Sequence, residues 1–250
     1  MKKEDNIKDI LNHYKKVLEM QGYTVIYVAL YGSQNYNVDD GQSDIDAKAI
    51  VLPTLSQIIH RQPVSAVLET EYGAVDYKDI ITFNDVIRKG NFSYIEAIQS
   101  QYRIGDIETI DRLFGNIPVN LKSIVGGMLE KRKALTHKYP SKVKEFEQFN
   151  CDPKQYHHIV RLADILMYNL EHKTNLSYLT YDDEDRQLMI DIKRRLIQSL
   201  EATEAAADAY IEAARCALNA VYPNYKYEPY DNTEAVDNYI EEQLRIQLQK

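Results

Sequence analysis

Residues 31–46, Tyr-Gly-Ser-Gln-Asn-Tyr-Asn-Val-Asp-Asp-Gly-Gln-Ser-Asp-Ile-Asp, decide how the rest of this chain is interpreted. The Gly32-Ser33 turn ends an apolar, β-like run, and Asp44 and Asp46 stand at the start of a second such run. Because alternate side chains of a strand share a face, the two aspartates point the same way. Two carboxylates held that close repel each other, which favours a cation between them.

The residue types in this stretch suit phosphate chemistry. Carboxylate oxygens are ligands that Mg²⁺ prefers, and Mg²⁺ completes its shell with water and substrate phosphates. The N–H groups and the hydroxyl of the Gly32-Ser33 turn are suited to holding those phosphates. The stretch therefore indicates a nucleotidyl-transfer site.

A two-metal site of this kind needs a third acidic ligand, and a neighbouring strand can deliver one. The run 72–79 offers Asp76, inside the predicted strand, and Asp79, at its end. We expect Asp79 to cap or turn the chain and Asp76 to bind the catalytic metal and help deprotonate the attacking hydroxyl. The alternative for Asp76 is a solvated carboxylate on an edge strand. The predicted cofactor is a pair of Mg²⁺ ions, for which Mn²⁺ could substitute.

Hydrophobic periodicity predicts strands early in the chain and helices late, which is an α+β plan. The predicted strands are 24–31, 45–52 and 73–79. The predicted helices are 4–20, 55–61, one capped by Thr82 or Asn84, 93–101, 119–138, 141–149, 154–172, 184–221 and 233–249. We expect a small mixed β-sheet core flanked by helices in residues 1–115, followed by a helical domain in 116–250.

Composition and charge limit the partners and the cellular location that are expected for the chain. The chain has 250 residues and a net charge of −8, which argues against a nonspecific nucleic-acid coat, although a local basic stripe could still bind a phosphate backbone. Cys151 and Cys216 lack metal-type spacing and are expected to be buried thiols in a reducing cytosol. The polar first residues and the lack of an apolar run of about 20 residues predict a cytoplasmic protein without a membrane partner.

Several segments together resemble the DNA polymerase β superfamily of nucleotidyltransferases, and more narrowly its bacterial and phage members associated with RNA repair. The likeness covers about residues 25–175. The segments that carry it are 31–36, 43–46, 49–53, 75–77, 88–97 and 155–162. Two positions depart from that group, since Gln34 stands where relatives carry a basic residue and Phe92 where they tend to have proline.

The resemblance implies transfer of a nucleoside monophosphate from an NTP to an acceptor hydroxyl, with an RNA 3′ end, such as that of a cleaved tRNA, as the leading acceptor. One alternative is modification of a small molecule or a protein, as in antibiotic or toxin–antitoxin chemistry. Another is a binding module that does not catalyse.

The resemblance also implies which residues contact the nucleotide. It places Gly32 and Ser33 on the β- and γ-phosphates, with Gln34 and Ser43 beside them. In the helix that starts near Pro153, it points Arg161 and the nearby His157 at the triphosphate. The alternative for that helix is an exposed polar face with an Arg161–Asp164 ion pair.

A basic run in the helical half is a further candidate for phosphate or RNA binding. Lys131 is its first member and the one expected to contact phosphate. A solvated side of a helix hairpin is the alternative explanation. The run consists of Lys131, Arg132, Lys133, His137, Lys138, Lys142 and Lys144.

Overall fold

A computed structural model of the protein describes residues 3–41, 43–140, 143–195 and 198–249. The chain divides into two compact units. Unit 1 takes the described residues of 1–35, 41–118 and 228–250, and unit 2 takes those of 36–40 and 119–227.

Unit 1 holds a five-stranded sheet with helices, which confirms the α+β class and the mixed sheet. Its strands are β1 (Thr24–Tyr31), β2 (Asp46–Leu52), β3 (Ser65–Glu69), β4 (Ala74–Asp79) and β5 (Arg103–Gly105). Its helices are α1 (Lys3–Met20), α2 (Leu55–Ile59), α3 (Ile80–Ile87), α4 (Phe92–Gln99), α5 (Ile107–Phe114) and α11 (Thr233–Leu248).

The sheet has the order β3-β4-β2-β1-β5, and its pairs are antiparallel except for the parallel pair of β2 and β4. The edge strands β3 and β5 were not predicted from the sequence, and neither was α5. Most side chains of β3 are exposed, so the strand lacks the alternation of apolar and polar residues on which such a prediction depends. With only three residues, β5 is too short to show a period.

Helix α1 covers one face of the sheet. Its buried positions recur every three or four residues, which is the pattern of a helix with a single apolar face. They pack in one core cluster with Ala47, Ala49 and Val51 of β2 and with Val75 and Tyr77 of β4. Because side chains alternate along a strand, the residues between these positions lie on the opposite face of the sheet.

Unit 2 is helical. Its helices are α6 (Leu121–Thr136), α7 (Val143–Phe149), α8 (Pro153–His172), α9 (Asp183–Arg194) and α10 (Leu200–Val221). Helix α8 packs against α6, α9 and α10. Asp152 caps α8 by accepting a hydrogen bond from the N–H of Lys154, and Pro153 stands in its first turn, where no N–H is needed.

Several predicted boundaries differ from the structure. Helix α3 is capped by Asp79 rather than by Thr82 or Asn84, because the strand runs directly into the helix. The single helix predicted over 184–221 is two helices, and Ser199 caps the second one through the N–H of Ala202.

The predicted division was at residue 115. In the structure, residues 36–40 belong to unit 2, the longest stretch of unit 1 ends after residue 118, and the segment from residue 228 onward belongs to unit 1 instead of the helical unit. There α11 packs on α3, and the amide of Asn232 donates to the carbonyl oxygen of Leu113. No helix within the described residues has the length and apolar character required to cross a lipid bilayer.

Candidate active site

The Gly-Ser turn and the start of β2 are neighbours across the sheet. In the register of β1 with β2, Tyr31 pairs with Asp46, so the turn that follows Tyr31 begins beside that carboxylate. Gly32 has a φ of 90°, which favours glycine. A Cβ on Gly32 would lie 3.9 Å from Oδ2 of Asp46, so the turn backbone and the carboxylate border the same small space.

The N–H of Gly32 is not available to a phosphate, contrary to the sequence-based expectation. It donates a 2.9 Å hydrogen bond to Oε1 of Glu96, a fully buried carboxylate on α4. The same oxygen accepts from Nδ2 of Asn35 at 3.2 Å, and that amide also donates to the carbonyl oxygen of Leu30. Glu96 therefore anchors the turn from within unit 1.

Ser33 is the residue of the turn whose hydrogen-bond donors have no acceptor among the described residues. Its side chain is half-buried, and in the described part of the chain neither its N–H nor its hydroxyl makes a hydrogen bond. Gln34 reaches from the turn to the carbonyl oxygen of Ser43, with Nε2 at 3.5 Å. Ser33 is thus the residue best placed to hold a phosphate, while Gln34 links the turn to the segment that carries the acids.

β2 begins at Asp46, so Asp44 precedes the strand and the predicted sharing of one strand face does not apply to the pair. Asp44 is exposed and Asp46 is partly exposed. Oδ1 of Asp46 accepts a 3.1 Å hydrogen bond from the N–H of Ala74, and no lysine or arginine among the described residues pairs with either aspartate. Tyr14 of α1 donates to the carbonyl oxygen of Ile45 at 2.6 Å. Burial raises the pKa of Tyr14 to about 12, with a smaller contribution from the two carboxylates.

Gly73 lets the turn between β3 and β4 approach the two acids. A Cβ on this residue would lie 2.8 Å from the carbonyl oxygen of Ile45, closer than a side chain tolerates. The N–H of Ile45 in turn donates to the carbonyl oxygen of Tyr72 at 2.8 Å. The backbone between Asp44 and Asp46 is therefore fixed by a contact that only glycine permits.

Asp76 lies on the same sheet face as Asp46, but it is paired with two lysines. Its Oδ2 is 2.8 Å from Nζ of Lys48, and its Oδ1 is 3.3 Å from Nζ of Lys78. The hydroxyl of Tyr94 donates to Oδ2 at 3.1 Å. Burial by itself would raise the pKa of Asp76, but the two ammonium groups outweigh it and lower that pKa.

The expected convergence of three carboxylates is corrected by this geometry. Across residues 3–41, 43–140, 143–195 and 198–249, no three His, Cys, Asp or Glu side chains are arranged to hold a metal ion. The physical reason is that the partners of Asp76 are ammonium groups. Asp44 and Asp46 suit one Mg²⁺, which is typically bound through one or two carboxylates, but the residues do not fit a pair of ions that share Asp76. Metal binding itself stays a prediction.

The prediction that Asp79 caps the chain is confirmed. Its carboxylate accepts from the N–H of Thr82 at 2.8 Å and from the N–H of Val64 at 2.6 Å, and it is 2% exposed. It is a buried helix cap.

The predicted phosphate-binding residues of the helical half belong to unit 2. Arg161 is 3% exposed, and its guanidinium lies 4.0 Å from the ring centroid of Tyr36. It is therefore not part of an exposed polar face. Asp164 instead accepts a 2.7 Å hydrogen bond from the hydroxyl of Tyr181, and burial raises its pKa.

His157 is 1% exposed, and neither ring nitrogen has a hydrogen-bond partner among the described residues. Burial, followed by the positive charges of Arg161, Lys193 and Lys154, lowers its pKa well below the ordinary value. Lys131 is half-buried, and burial lowers its pKa as well, with Arg161 among the other causes. Unit 2 therefore holds basic side chains around the buried ring of His157, which packs on the ring of His158 at a centroid distance of 5.3 Å.

The other residues of the basic run differ in whether they are paired or exposed. Arg132 is bound within unit 2 by Asp208 at 2.8 Å and Glu204 at 3.1 Å. Lys133, His137, Lys138 and Lys144 are exposed, and Lys142 lies outside the described residues.

Two residues of the site were missed in the sequence. Lys48 stands two positions after Asp46 in β2, so the strand period of two places Lys48 on the same face as Asp46. A lysine inside an apolar run is the signal that could have found it. Glu96 lies in a segment that carries the family resemblance, but nothing in its spacing indicates that it binds the turn.

No family model matches the chain, and no curated protein sequence matches it. Solved structures to which the chain is similar include a nucleotidyltransferase-like protein from Exiguobacterium sibiricum 255-15, at 13% sequence identity, over 96% of this chain and 88% of that one, with a TM-score of 0.29. A TM-score of that size does not establish a common fold.

Proposed function

We propose that this chain is a metal-dependent nucleotidyltransferase that moves a nucleoside monophosphate from an NTP to an acceptor hydroxyl. The observation that supports it most is the closeness of the Gly32 backbone to Oδ2 of Asp46, with the donors of Ser33 beside them. Phosphate donors and carboxylate ligands are then next to each other, as a metal–triphosphate complex requires.

In this proposal Asp44 and Asp46 hold one Mg²⁺, and Ser33 donates to the triphosphate. The bound metal would neutralise charge on the phosphate oxygens. The acceptor oxygen forms a bond to the α-phosphorus while the bond to the β-phosphate breaks, pyrophosphate leaves, and the hydroxyl proton passes to solvent. The chain contributes mainly position and charge, because phosphoryl transfer needs little covalent help from the protein.

For the acceptor we propose an RNA 3′ end. The half-buried Lys131 and the exposed Lys133, Lys138 and Lys144 support a phosphate-bearing substrate, since positive charge at the surface attracts an anion. A small-molecule acceptor is the second candidate, and the net charge of −8 favours it. A nucleotide-binding module without catalysis is a third, favoured by the engagement of Asp76 with two lysines.

The test is to incubate the chain with each NTP labelled at the α-phosphate, with Mg²⁺ or Mn²⁺, and with separate pools of tRNA, protein and aminoglycoside. Label in the tRNA supports the proposal, and label in another pool supports the corresponding alternative acceptor. Asp46→Asn should abolish transfer without loss of fold, because it removes a repelling charge rather than a packing group. Asp9→Asn, an exposed aspartate of α1, is the matched control.

A thermal-shift measurement separates the enzyme from the binding module. Stabilisation by Mg²⁺ and NTP without transfer to any pool would favour the module. If neither the metal nor any NTP changes the melting temperature, the nucleotide site itself is refuted.

A further inference from the structure

The ion pair between Asp76 and Lys48 is fixed by the sheet and is not a chance contact at the surface. The parallel register of β2 and β4 pairs Lys48 with Asp76, so the two side chains leave the same face of the sheet at the same level. Lys48 is 6% exposed, and its Nζ stands 2.8 Å from Oδ2 of Asp76. The ion pair is thus determined by the strand register and by burial.

Aromatic rings hold Lys48 in place. Its Nζ lies 4.5 Å from the ring centroid of Tyr31 and 4.2 Å from that of Tyr94, distances at which a cation is attracted to the ring face. Tyr94 also donates its hydroxyl to the same oxygen of Asp76. Lys48 therefore contacts a carboxylate and two aromatic rings at the same time.

The charges beside Asp76 follow from these contacts. Lys48 and Lys78 place two positive charges on this one carboxylate. A divalent cation beside Asp76 would therefore be repelled by Lys48 at short distance, with little solvent to screen the repulsion.

We infer that the site takes one divalent cation, on Asp44 and Asp46, and that the Lys48 ammonium supplies the positive charge beside Asp76 where a second metal ion would otherwise lie. The inference rests on the proposed function for the existence of the first ion. Asp76 is then the partner that positions Lys48, and it is not a metal ligand.

The test counts Mn²⁺ ions bound per chain, using electron paramagnetic resonance to measure free Mn²⁺ during a titration. We expect one ion for the wild type and two for Lys48→Met, which removes the ammonium group and keeps a long side chain. Lys16→Met, an exposed lysine of α1, is the matched control and should bind one ion. Circular dichroism confirms that each variant is folded.

A double variant keeps the inference testable if Lys48→Met does not fold. Lys48→Met with Asp76→Asn removes both members of the ion pair, so it leaves no unpaired buried charge, and it should bind one ion with the dissociation constant of the wild type. Weaker binding by the double variant would mean that Asp76 is a ligand and would overturn the inference.

The remaining outcomes of the titration also test the inference. Two ions in the wild type, or only one in a folded Lys48→Met, would overturn the inference while leaving the proposed function intact. No bound ion in the wild type would overturn the proposed metal site itself, and the inference with it.

Discussion

Glu96 offers the sharpest test of how the Gly-Ser turn is held. Its carboxylate is fully buried and accepts from the N–H of Gly32 and from the amide of Asn35. Glu96→Ala would remove both bonds and leave the Gly32 N–H without its acceptor. A hydrogen bond to a charged group contributes about 1.5–3 kcal/mol, and an orphaned buried donor costs about 1–3 kcal/mol.

The net loss is smaller than the sum of these values. The Asn35 amide keeps its bond to the carbonyl oxygen of Leu30, and removing a buried charge recovers part of the cost of burying it. We therefore expect Glu96→Ala to lower the free energy of unfolding by about 2–4 kcal/mol. Glu96→Gln keeps an acceptor oxygen of the same shape, so its loss should be about 1–2 kcal/mol.

The assay is urea unfolding followed by far-ultraviolet circular dichroism, with the denaturant slope compared among the variants. Glu96→Gln is the matched control, because it separates the charge from the shape of the side chain. A free energy of unfolding for Glu96→Ala within about 0.5 kcal/mol of the wild type, the range of an ordinary surface substitution, would refute the anchoring role.

Three further predictions concern other parts of the chain. The pKa of His157 is lowered in the folded state, so only the unfolded state binds its proton just below pH 6.5, and stability falls as the pH drops through that range. In urea unfolding at several pH values, His157→Gln should therefore reduce the slope of the unfolding free energy against pH by about 1.4 kcal/mol per pH unit. The control, His60→Gln at an exposed position, should leave that slope unchanged. Gly73→Ala should weaken Mn²⁺ binding and lower the free energy of unfolding by about 1–3 kcal/mol, because the new Cβ would meet backbone atoms. Gly126→Ala, with open space around the new Cβ, should raise the free energy of unfolding by about 0.5–1 kcal/mol. Equal effects of the two substitutions would contradict the close contact at Gly73. Asp79→Ala should cost about 2–3 kcal/mol in urea unfolding through loss of a helix cap and a buried acceptor, and a cost below about 0.5 kcal/mol would count against both roles.

Local patterns predicted much of the fold. The bounds of β1 agree with its apolar run, and the long helices follow their 3.6-residue period. Elements with little apolar surface, such as the mostly exposed β3, carry no periodic signal and were missed. The return of α11 to unit 1 could not be predicted either, because its packing on α3 joins segments that are far apart in sequence.

The amino-acid pattern was enough to separate the polar from the apolar side of each strand. In β2 and β4, Asp46 and Asp76 alternate with apolar residues, so each carboxylate lies opposite the apolar side of its strand. Which cation each carboxylate meets depends on the folded chain, because strand register and helix packing bring groups distant in sequence within bonding range. That register placed Lys48 against Asp76 and left Asp44 and Asp46 without an ammonium partner among the described residues.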